Sequence, residues 1–210
     1  RLEPLLSKAA DPLADIPLSL RIPKGAKRIS TVEELLKVCP DFADVITDAT
    51  EQPRQRPAER IQRKWYSGKK KRHTVKTQIT VNRKGKVVEV TASYPGRIHD
   101  YEIFKREGTA KSLPRAADHR VDRGYDGAQN DYPEHHVIVP IKKRRNHPTL
   151  SFAERLFNKK HSKSRILVEH VLSRMKKYQV LFQVYRHRIQ SYNQKFRNIA
   201  ALVNFRLATA

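Results

Sequence analysis

The sequence predicts one mixed α/β layer fold, a sheet flanked by helices. Three observations carry this expectation: a pair of segments in which apolar and polar residues alternate about a turn, short apolar runs leading into acidic residues, and C-terminal stretches with helical periodicity. At 210 residues the chain is long enough for one substantial core. One domain is expected over residues 41–210, behind a lead-in segment over residues 1–40.

The lead-in carries Pro4, Pro12, Pro17, Pro23 and Gly25 among short apolar runs, which predicts loose order followed by a short helix over Thr31–Val38. Val45 and Ile46 lead through Thr47 to Asp48 as a short strand that ends at the acid. Pro53, Arg54, Arg56 and Pro57 then break regular structure. Val75, Thr77, Ile79 and Val81 alternate with polar residues, as do Val88, Val90, Ala92 and Tyr94, and Asn82–Gly85 make the turn between them. That pattern is an antiparallel hairpin with one buried face.

Asp100–Arg106 reads as a helix capped by Asp100, with Ile103 and Phe104 facing inward and Gly108 ending it. A short strand is expected before Asp122 and another over His136–Pro140. Helices are expected over Arg165–Val180 and Arg186–Ala208. In the first of these, Arg165, Glu169 and Lys176 return to one side, whereas Leu167, Val168, Val171, Leu172 and Met175 gather on the other. Glu169 is therefore expected on a packed, oriented helix.

Lys and Arg total 44 against 21 acidic residues, a formal charge of +23 that exceeds what internal ion pairs absorb and points to a polyanionic partner, nucleic acid first. No apolar run approaches the ~20 residues that span a bilayer. Cys39 is the sole cysteine, which excludes an intrachain disulfide framework and a cysteine-rich zinc module and suits a reducing compartment. His99, His135, His136 and His161 lack the spacing of a zinc hydrolase and are expected to be structural or DNA-facing. The runs Lys69, Lys70, Lys71, Arg72 and Lys142, Lys143, Arg144, Arg145 suit binding to phosphates, which positions DNA without reading its sequence. Trp65 and Tyr66 are expected in the core rather than stacked on a base. The chain starts at Arg1 with no signal-peptide pattern, so an upstream part is expected to be missing.

Asp48, Asp122 and Glu169 each sit where a divalent-metal site acting on a phosphate backbone would need an oxygen ligand. Taken singly, each has a plainer reading: Asp48 as a turn residue, Asp122 as the start of a turn, Glu169 as the partner of Arg165 four residues earlier. Their order and surroundings favour the site. The segments ITDATEQPRQRP, WYSGKKKRHTVK, SYPGRIHD, DRGYDG and SRILVEHVLSRMKK resemble, in succession, motifs of bacterial insertion-sequence transposases related to the Harbinger superfamily, from about residue 31 to the C terminus.

That resemblance implies a DDE-type, ribonuclease-H-like mixed sheet flanked by helices, with Asp48, Asp122 and Glu169 as first, second and third acids. Asp100, in a Pro-Gly-x-x-His-Asp motif, competes for the second place. Arg165 and Lys176 would orient Glu169 or contact phosphate. The implied cofactor is Mg²⁺ or Mn²⁺, as two ions, and the partner is double-stranded DNA, at transposon ends and target, bound by a homo-oligomer in the bacterial cytoplasm on the nucleoid. The implied reaction cuts DNA at element ends and joins the freed 3′-hydroxyl to target DNA; the alternative is a truncated or inactive derivative that only binds DNA. Two departures stand out: Ser162 occupies a position often held by tyrosine, and residues 1–30 show no helix-turn-helix.

Overall fold

The computed structural model describes residues 36, 40–143, 145 and 148–209. The expected helix over Thr31–Val38, apart from Leu36, and Arg144 lie outside them. Strands β1 (Asp44–Pro53), β2 (Tyr66–Ser67), β3 (Arg72–Asn82), β4 (Val87–Pro95), β5 (Asp118–Arg120) and β6 (Val137–Ile138) form one mixed sheet. β1 lies between β3, antiparallel to it, and β5, parallel to it; β6 continues the parallel side, while β4 and β2 share the outer edge of β3. The helices are α1 (Glu59–Trp65), α2 (Asp100–Glu107), α3 (Ala128–Asp131), α4 (Phe152–Lys176) and α5 (Ile189–Ala208).

The hairpin forms as its alternation predicts, but β3 is buried on both faces, not one. It is an interior strand with α4 and α5 over one face and α2 over the other, so its polar residues need internal partners. They have them: Thr77 Oγ1 meets Ser93 Oγ at 2.6 Å, and Gln78 bonds Thr109 Oγ1 at 3.1 Å and Tyr125 Oη at 3.0 Å. One core cluster packs Ile46, Ile79 and Val81 against Val168, Met175 and Phe196. A second, around Phe104, Val121 and Tyr125, fills the other face.

β1 does not end at Asp48. It pairs with β3 from Val45↔Asn82 to Pro53↔Thr74, and one further bond, from Arg54 N to the His73 carbonyl at 2.9 Å, carries the pairing past the proline. Asp100 does not cap α2: it is the first helical residue, behind His99, and its side chain turns to Lys76. Gly108 ends that helix in the left-handed conformation, φ 65°. α4 begins far upstream of Arg165, at a capping box in which Ser151 Oγ accepts from Glu154 N and Glu154 accepts from Ser151 N. It ends at Lys176, short of the expected Val180, and α5 starts at Ile189, not Arg186.

The turn α1 was not expected. Trp65, at its end, is half-buried and covered by the Arg54 guanidinium 3.9 Å from the ring centre, but Tyr66 is 42% exposed, edge-on to His73, and is not a core residue. Among the described residues no helix is long and apolar enough to cross a membrane.

Candidate active site

β5 is only three residues long and pairs with Asp44, Val45 and Ile46. Between Ile46 and Pro53 no strand among the described residues pairs with that edge of β1, and a cleft opens there, just past the carboxyl end of β5. The register sets the site. Ile46 lies opposite Arg120, so Asp48, within β1, and Asp122, just past β5, each two residues further on, stand at the same level. Glu169 comes from α4, whose apolar side is held on the sheet by Val168, Val171, Leu172 and Met175.

These three acids converge on one guanidinium. Arg165 places Nη1 at 2.8 Å from Asp122 Oδ1, and Nη2 at 3.8 Å from Asp48 Oδ2 and 3.6 Å from Glu169 Oε1. The Asp48 side chain is 17% exposed and that of Glu169 56%, so the cluster runs from the floor of the cleft to its rim. Burial pushes the Asp48 carboxyl up to about 6; the Arg165 charge and the Ala49 N–H, 2.8 Å from Asp48 Oδ1, oppose that rise, and repulsion from Asp122 and Asp100 adds to it. Asp122 Oδ1 also accepts from Arg123 N at 2.6 Å, which fixes the turn after β5.

The cleft, about 530 Å³, is lined by Asp48, Glu51, Asp100 and Glu169 with Lys69, Lys70 and Lys176. Asp122 is not in this wall and joins the cluster through Arg165. Asp100 pairs not with Arg165 but with Lys76, its Oδ1 at 2.8 Å from Lys76 Nζ, which also reaches Glu51 at 3.6 Å and the Ile98 carbonyl at 2.8 Å. Burial and the neighbouring charge of Lys70 pull the Lys176 ammonium below its ordinary range. Of the two basic runs, Lys69 and Lys70 reach the cleft and Arg72 lines an adjoining groove. Lys71 is exposed, with φ 52°, and does not line either. Lys142, Lys143 and Arg145 are exposed outside the cleft, Lys142 paired with Asp126 at 3.1 Å.

Glu51, Lys76 and Thr74 were not singled out from the sequence. Glu51 lies three residues after Asp48 on the opposite face of β1, so no spacing rule joins them; both reach the cleft because the strand edge there is bare. Of the histidines, His161 is buried with Nε2 at 3.2 Å from the Ile138 carbonyl, a structural role as expected. His119, not singled out either, is buried with Nε2 at 2.6 Å from Thr47 Oγ1.

As the side chains stand, no three His, Cys, Asp or Glu groups among the described residues are close enough to hold a metal ion. The donors nonetheless fit a hard divalent cation. They are all carboxylate oxygens, crowded at a buried carboxyl that already favours a neighbouring positive charge, which Arg165 supplies.

A mixed sheet with one acid on a central strand, a second just past the parallel strand beside it, and a third on a helix packed across them, is the architecture of a ribonuclease-H-like fold. Residues 47–204 match the family described as DDE superfamily endonuclease, and the chain belongs to that family. It is also 33% identical over 177 residues to a probable transposase for insertion sequence element IS702 from Microchaete diplosiphon, an alignment that covers 84% of this chain and 62% of that protein. The chain thus spans less than two thirds of the length of that relative. No solved structure matches it significantly.

Proposed function

We propose that this chain is the catalytic part of a DNA transposase, with residues 41–210 as the working unit, cutting DNA at the ends of a mobile element and joining the freed 3′-hydroxyl to target DNA. One observation carries the reading: Asp48, Asp122 and Glu169, from three separate elements, meet at Arg165 beside the bare edge of β1. The family membership and the similarity to a probable insertion-sequence transposase support it.

Asp48, Asp122 and Glu169 are the groups that would hold Mg²⁺ or Mn²⁺, one ion or two, which when bound supplies Lewis acidity for in-line displacement at phosphorus by water or a 3′-hydroxyl. The remaining work falls to the protein. Arg165 holds the carboxylates apart and oriented, and the Ala49 N–H fixes one oxygen of Asp48. Lys69, Lys70 and Lys176 on the cleft wall offer charge to the phosphates flanking the cut. Work on two element ends at once calls for a homo-oligomer on double-stranded DNA, and a bacterial setting on the nucleoid follows from the same reading.

The test is nicking of a supercoiled plasmid with Mg²⁺, Mn²⁺, Ca²⁺ or EDTA, comparing the parent chain with Asp48→Ala, Asp100→Ala, Asp122→Ala and Glu169→Ala at matched DNA affinity. We expect metal-dependent nicking that falls at least ~100-fold in the Asp48, Asp122 and Glu169 variants and survives in Asp100→Ala. Tight DNA binding with no nicking under any metal would replace this reading with that of a retired transposase that only holds DNA.

A further inference from the structure

Beside the acid cleft lies a larger groove of about 1100 Å³, which shares Glu51, Lys70, Lys176 and Phe182 with it. Its wall is the segment between α4 and α5. That segment is held hard against β1: the buried Gln52 donates Nε2 to the carbonyls of Val180 and Gln183, both at 2.7 Å, Tyr185 N donates to the Pro53 carbonyl at 2.8 Å, and Gln55 N to the Tyr185 carbonyl at 2.9 Å. The Tyr185 ring is buried against Tyr192. On this pinned backbone Phe182 is nevertheless 68% exposed, with Val184 beside it 47% exposed.

The rim is cationic. Lys70, Arg72, Lys176 and Arg186 line the groove, and none of the four pairs with a carboxylate among the described residues. The one carboxylate lining it, Glu51, is already engaged by Lys76 at 3.6 Å and by the Thr74 hydroxyl at 2.7 Å. Paired DNA offers such a surface phosphates and base edges but no free base face, since its bases are stacked on one another. An unpaired strand offers both phosphates and free base faces, and an aromatic ring inside a cationic rim suits that combination. Tyr185, which also lines the groove, is buried, and Trp65 and Tyr66 line neither the groove nor the cleft.

We propose that this groove receives the unpaired strand of a DNA end where it leaves the acid cleft, with a base stacked on Phe182 and phosphates along Lys70, Arg72, Lys176 and Arg186. The proposal rests on the transposase reading for its source of DNA ends and extends it to the form of DNA bound.

The experiment compares binding, without divalent cation, of two labelled DNAs of one sequence, a blunt duplex and a duplex carrying a single-stranded overhang with 2-aminopurine in it. We expect the overhang to raise affinity about 10-fold and its 2-aminopurine emission to be quenched by stacking. Phe182→Ala, a change at an exposed side chain, brings overhang affinity down to the blunt value without moving the blunt affinity and abolishes the quenching; Phe182→Trp restores both. An overhang that brings no gain in affinity, or a Phe182→Ala variant that weakens both DNAs equally or neither, overturns the groove. Plasmid nicking by the same protein separates the two readings: nicking without overhang preference defeats the groove alone, whereas Phe182-dependent overhang binding without nicking upholds the groove and defeats the cleavage reading.

Discussion

Arg165 serves as counter-charge to three carboxylates at once, which makes it the residue on which the apo cluster depends. In Arg165→Ala the largely buried Asp48 faces Asp122 and Glu169 with that charge gone, and we expect a loss of about 1–3 kcal/mol at pH 7 in EDTA, read by urea unfolding. Millimolar Mg²⁺ should then raise the melting temperature of the variant more than that of the parent; an equal response would mean that cation and guanidinium do not share a place. His119 sets a pH dependence of its own. Burial pushes its ring down to about 3, against an ordinary value near 6.5. The unfolded chain therefore binds the proton first, so the stability contributed by neutral His119 is whole above pH 6.5 and drains away as pH falls towards 3. Between pH 7 and 4.5 the parent should lose about 2–3 kcal/mol more than His119→Gln, whose amide can still reach Thr47. Of these residues, the Arg165–Glu169–Lys176 stripe was legible from helical spacing. His119 was not, because its partner Thr47 lies on another strand.

Among the elements, β3 and the turn into α2 are joined at Thr74 and Gly96. The Gly96 N–H donates to the Thr74 carbonyl at 2.9 Å, and a Cβ on Gly96 would come within 1.8 Å of Thr74 Oγ1, the hydroxyl that holds Glu51 of β1. This close approach explains the glycine of the SYPGRIHD segment. Gly96→Ala should cost about 1–3 kcal/mol in thermal or urea unfolding, and markedly less when made in Thr74→Ala, where the colliding oxygen is gone. At the far end of the site helix, Ser151→Ala removes half of the α4 capping box and should cost ~1 kcal/mol. Amide exchange should quicken in the first turn after Phe152 and not around Val168–Met175, which the core holds. The capping pattern Ser-Phe-Ala-Glu stood in the sequence as a start signal. The expected start at Arg165 came instead from the apolar stripe, which begins only where α4 meets the sheet.

Across the whole molecule the excess of 23 positive charges dominates long-range behaviour. DNA affinity should fall linearly on a log–log plot against salt. Replacing Lys69 and Lys70 together by Ala should lower the slope by about 2, roughly 0.9 for each phosphate no longer neutralised. Lys142→Ala should change it less, since Asp126 already pairs with that lysine outside the cleft. Equal slopes for all three proteins would move the DNA path away from the Lys69–Lys70 turn.

Local patterns are properties of neighbouring residues, and for that reason the hairpin, the Gly108 stop, the order of the acids and the amphipathic face of α4 could be read from the chain alone. Pairing between distant segments decided the rest. The length of β1 past Asp48 follows from its ladder with β3. The common level of Asp48 and Asp122 follows from the parallel register with β5, and the shortness of β5 leaves the edge where the cleft opens. Glu51 with Lys76 and Asp100, and Phe182 beside the cleft, belong to the same class. Their neighbours come from separate strands and helices, and only the folded sheet brings them within reach.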